Sequence, residues 1–132
     1  MKPLRNILIV GDGSDPIRRI AERLADSLKG LRVSSIDAAQ FSATDLLPAD
    51  AYFFGCQKPN PSDFAELERV LGGINLAGRP CGLFSPGSAP ALEYLRRIVK
   101  DAELQLNPQP WLSDTDDAKA LKSWVESTLK RT

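Results

Sequence analysis

Three short apolar runs constrain this chain more than any other feature: ILIV from Ile7 to Val10, AYFFGC from Ala51 to Cys56, and CGLFS from Cys81 to Ser85. Continuous apolar runs of this length are the mark of strands buried on both faces. Between them the period changes. Ile17, Ile20, Ala21, Leu24, Ala25 and Leu28 recur at the spacing of one helix face. Phe64, Leu67, Leu71 and Ile74 form a second such set. A third comprises Leu92, Leu95, Ile98, Val99 and Ala102, and a fourth Ala118, Leu121, Val125 and Leu129. Two weaker strands complete the series. LRVSSI, residues 31–36, is half polar and belongs at a sheet edge; LQL, residues 104–106, is short. Strand and helix therefore alternate, and this order predicts an open, doubly wound parallel sheet with helices on both faces. With 132 residues and no internal repeat or linker, residues 1–132 read as a single α/β domain.

Local signals place the element ends. Asp15 reads as the N-cap of the first helix with Pro16 at its first position, and Gly30 as its C-terminal glycine. Ser62 and Ser88 read as caps of the next two helices. The aspartates of SDTDDAK, residues 113–119, read as the cap and first-turn acids of the last helix, because a calcium loop needs a 12-residue frame that is missing. Trp124 falls on the apolar side of that helix and reads as core.

Composition narrows the function. Seventeen basic residues balance seventeen acidic ones, so no field favours nucleic acid or an anionic membrane. MKPLRN leads straight into the first strand without a signal-peptide core, and no apolar run reaches the ~20 residues of a membrane span. The expected location is cytoplasmic. There is no histidine and there are only two cysteines, which removes His-activated nucleophiles, His metal ligands and a closed zinc site. Cys56 ends one predicted strand and Cys81 begins its neighbour, too far apart for a disulfide. Cys56 reads as a small buried hydrophobe, the alternative being a partly exposed thiol beside the ligand edge.

The passages ILIV plus loop plus IAERLADSL, PADAYFFGC and INLAGRPCGLFSPGS together resemble a short flavodoxin over nearly the whole length. The last of these is similar to that family's passage into its fourth strand, where a Gly-Arg/Lys-Pro turn precedes an apolar strand. The resemblance implies a five-stranded sheet of order 2-1-3-4-5. It also implies a ligand edge at the carboxyl ends of strands one, three and four. Three loops would line it, with Asp12, Gly13, Ser14 and Asp15 in the first, Gln57, Lys58 and Asn60 in the second, and Ser85, Gly87 and Ser88 in the third. The implied cofactor is FMN and the implied partner a redox protein.

The residues depart from that family's pattern. GDGSDP replaces a Ser/Thr-rich phosphate loop and offers one hydroxyl, Ser14. Pro16 lacks an N–H, and Asp12 and Asp15 bring negative charge to a helix start that an anion would need bare. Arg18 and Arg19 offer partial compensation. A tight turn capped by its own Asp15 is the competing reading. The loops after strands three and four carry no aromatic wall for a flavin; Tyr94 and Trp111 are the candidates nearby. Rossmann and P-loop fingerprints are absent. A receiver domain fails as well, because Gly55 stands where its phosphoacceptor aspartate would be. The chain thus reads as an FMN electron carrier, placed first because the resemblance runs full length. The alternative is a flavin-free interaction or accessory module. Neither is a catalyst with its own acid or base.

Overall fold

The computed structural model describes residues 6–113 and 117–130. β1 (Asn6–Gly11) lies at the centre of a wholly parallel sheet, flanked by β2 (Arg32–Asp37) and β3 (Ala51–Gly55). β4 (Pro80–Ser85) pairs with β3, aligning Tyr52 with Cys81 and Gly55 with Phe84. β5 (Gln105–Leu106) closes the order β2-β1-β3-β4-β5. This is the predicted topology, with the half-polar β2 at an edge.

Side-chain alternation sorts the sheet into two apolar layers. Leu8, Val10, Tyr52, Phe54, Cys81 and Leu83 pack against α2 (Ala65–Leu71) and α3 (Ala89–Val99). Ile7, Ile9, Ala51, Phe53 and Phe84 pack against α1 (Asp15–Asp26) and α4 (Ala118–Leu129), with Trp124 in that layer. Two glycines make the second layer possible. The Phe84 ring fills the place a Cβ at Gly55 would take, and a Cβ at Gly82 would meet Phe53 and Trp124 at 2.9 Å. Each phenylalanine thus covers the glycine directly across from it in register.

The fifth strand differs from its prediction. Gln105 and Leu106 pair with the start of β4, then the chain leaves the sheet and returns as β6 (Trp111–Leu112) beside the end of β4. Pro108 and Pro110 fall in the interruption, and neither can donate to a ladder. Helix α4 holds this excursion in place. The Asn107 amide donates to Thr128 Oγ1 at 2.9 Å, and Trp124 Nε1 donates to the Gln109 carbonyl at 2.6 Å.

Several end signals shift. The N-cap of α1 is Ser14, one residue before the expected Asp15, so Asp15 opens the helix and the competing self-capped turn is not formed as expected. The helix ends at Asp26 with Ser27 as C-cap, and Gly30 serves the following turn at φ +91°. Ser62 caps nothing; it begins a 3-10 turn, Ser62–Phe64, and Ile74 lies beyond α2. Ser88 does cap α3, its Oγ accepting from Ala91 N at 3.1 Å, and Asp117 caps α4 through Ala120 N at 3.0 Å. Asp114, Thr115 and Asp116, part of the expected acidic first turn, lie outside the described residues.

Candidate functional site

All the parallel strands end at one edge, and there the three predicted loops gather. In the first, the half-buried Asp12 follows β1 directly. Its Oδ1 accepts from Ser14 N at 2.9 Å and from Ser14 Oγ at 2.6 Å; its Oδ2 accepts from Gln57 N at 2.8 Å. Asp12 thereby joins the first loop to the second. Gly13 takes a positive φ of 82° beside the carboxylate of Asp37. That carboxylate holds Arg18 at 2.6 Å, so Arg18 is already engaged. Asp15 is exposed.

In the second loop Lys58 is exposed. Asn60 sits in the left-handed region at φ 55° and accepts from Arg97 Nη2 of α3 at 3.0 Å. In the third, the buried Ser85 accepts from Ser88 N at 3.3 Å, and Gly87 is exposed with open space around it. The fold therefore brings all three residue sets to one edge. Bonds link the first loop to the second, and the second to α3.

The aromatic candidates do not serve this edge as walls. Tyr94 is buried at 2% exposure, tilted against Phe64, with its hydroxyl donating to Glu68 Oε2 at 2.8 Å. Burial and the Glu68 bond both push its phenol pKa up. Trp111 belongs to the α1/α4 layer, its ring centroid 6.0 Å from Trp124 and its Nε1 donating to the Ser113 carbonyl. Cys56 is fully buried; burial, with the charge of Asp12 adding to it, pushes its thiol up to about 12, against a backbone N–H from Lys58. It is no nucleophile at neutral pH. Between the second loop and α3 an open groove of about 640 Å³ is lined by Pro59, Asn60, Pro90, Glu93, Tyr94 and Arg97.

No protein-family model matches the chain, and no curated protein sequence matches it. Solved structures do. Oxidised flavodoxin 2 from Bacillus cereus superposes with a TM-score of 0.82 at 17% identity, covering 96% of this chain and 99% of that one. A Streptococcus pneumoniae flavodoxin gives 0.79 at 19% identity over 96% and 99%. The fold is flavodoxin-like. A variant Fusobacterium nucleatum flavodoxin bound to flavin mononucleotide also superposes, with a TM-score of 0.72 at 10% identity over 97% and 95%. At such identities the likeness is one of fold.

The edge residues fit a flavin nucleotide poorly. A phosphate at the start of α1 would compete with Asp12 for the N–H and hydroxyl of Ser14, beside the negative charges of Asp12 and Asp15. Pro16 provides no N–H. Sequence reasoning missed Asp37, Glu68 and Arg97, whose bonds engage Arg18, Tyr94 and Asn60. Asp37 had a signal, as an acid at the carboxyl end of β2 in register with Gly11. Arg97 and Glu68 had none, since their partners lie 37 and 26 residues away.

Proposed function

We propose that this flavodoxin-like chain works as a flavin-free interaction or accessory module, with its loop edge as the binding face. One observation carries the reading. Among the described residues, the three loops hold no aromatic side chain to flank an isoalloxazine ring, and Tyr94 is turned into the core with its hydroxyl on Glu68. A flavin placed there would lack the stacking partners that a planar ring needs. The module binds through its loop residues and its groove, and it needs no acid, base or nucleophile of its own.

The competing reading is an FMN electron carrier that hands electrons to a redox protein partner, as the fold likeness suggests. The groove beside Asn60 and Arg97 favours it, with the phosphate displaced from the start of α1 toward the exposed Lys58 of the second loop. FMN titration separates the two. The flavin-free module leaves FMN fluorescence unquenched at micromolar protein and purifies colourless. A yellow protein, or saturable quenching at that concentration, would establish the carrier instead.

A further inference from the structure

Asp12 makes more bonds than its loop needs in order to turn. Acceptance from Ser14 N alone would complete a local turn. The second carboxylate oxygen instead reaches Gln57 N, 45 residues further along the chain. The Ser14 hydroxyl also points to Asp12, and it leaves α1 without a side-chain cap although Ser14 stands at the N-cap. In a doubly wound sheet a bound phosphate sits at the carboxyl ends of the strands, against the N–H groups at a helix start; Ser14 N, Ser14 Oγ and Gln57 N converge at that place. Here one carboxylate takes all three donors.

We propose that Asp12 is a resident anion, an internal substitute for a ligand phosphate that keeps the loop edge assembled when nothing is bound. Charge is central to the role. Hydrogen bonds to an ionised acceptor are roughly twice as strong as neutral ones, and a carboxylate is acceptor-only with room for several donors. The same charge repels an incoming phosphate. The proposal rests on the flavin-free reading for its setting, but its consequences are measured on stability.

The test compares wild type with Asp12→Ala and Asp12→Asn by thermal melting, in chloride and in inorganic phosphate at matched ionic strength. Asp12→Ala should melt about 5 °C or more below wild type, a usual response to losing such bonds in a domain of this size. Phosphate should raise its Tm by about 2 °C or more, since a ligand bound only to the folded state stabilises it. Wild type should not respond. Asp12→Asn, which keeps an acceptor but no charge, should fall between the two and also gain from phosphate. An Asp12→Ala protein that melts with wild type overturns the proposal. So does a phosphate effect on Asp12→Ala no larger than that on wild type, including no effect on either. If Asp12→Ala does not fold, Asp12→Asn decides, and a phosphate response no larger than that of wild type overturns the proposal. FMN quenching by wild type would refute the flavin-free reading and leave these melting comparisons to be judged separately.

Discussion

Arg79 follows the positive-φ Gly78 in the Gly-Arg-Pro turn, and its importance lies in what it reaches. Its Nη1 donates to the carbonyls of Leu47 and Ala49 and to the Tyr52 hydroxyl, at 2.9–3.0 Å. Tyr52 in turn donates to the Leu46 carbonyl at 2.6 Å. One guanidinium thus ties the irregular stretch between β2 and β3 to the buried end of β3. Leaving these acceptors without a charged donor should make Arg79→Ala cost about 1.5–3 kcal/mol. Equilibrium urea unfolding measures it, and a loss under ~0.5 kcal/mol would show that water replaces the guanidinium fully. Asp12 is the counterpart at the opposite edge. There too one charged side chain binds backbone groups from a distant segment.

At the element scale, α1 and α3 begin in opposite ways. Ser88 caps α3 through Ala91 N, whereas Ser14 turns from α1 to Asp12. Ser88→Ala should therefore cost about 1 kcal/mol. Asp15→Ala should cost only ~0.3–0.5 kcal/mol, because Asp15 contributes through the helix dipole and not as a cap. Chemical denaturation of the two variants tests the contrast, and equal losses would contradict these cap assignments. The broken fifth strand follows the same logic. Two prolines force the chain out of the ladder, and the interruption persists because α4 supplies partners for Asn107 and for the Gln109 carbonyl.

At the scale of the whole molecule, the two apolar layers set the response to alkali. Cys56, Cys81, Tyr52 and Tyr94 all have raised pKa values, with burial the first cause in each, and Cys56 moves from 9.0 to about 12. The folded state thus keeps protons that the unfolded chain releases. Their contribution to stability is complete below pH 9 and is lost as pH rises from there towards 12. Each such group contributes a slope of up to ~1.4 kcal/mol per pH unit within its window. Urea midpoints should hold steady from neutral pH to about 9 and then fall. Midpoints that stay level well above that limit would show that these groups are solvated in the folded state. No helix among the described residues is long and apolar enough to cross a membrane.

The doubly wound sheet and its two-layer core were legible in the sequence, because each rests on local periodicity: ILIV, AYFFGC and CGLFS name the central strands, and they alternate with helical faces. The strand order β2-β1-β3-β4-β5 was implied only by the resemblance to flavodoxins. The ten candidate residues were legible as positions, since strand ends can be counted. What they do was not. Asp12 and Asp15 look alike in GDGSDP, and only the packing of the loop after β3 against the loop after β1 gives Asp12 its third donor from Gln57. Tyr94 sits at helix spacing in either case; the position of Glu68 on α2 decides which partner its hydroxyl takes. The break in the fifth strand likewise required α4 to be in place. Sequence determined the elements, whose causes lie within a few residues. Tertiary structure decided the bonding at the loop edge, where partners come from segments far apart in the chain.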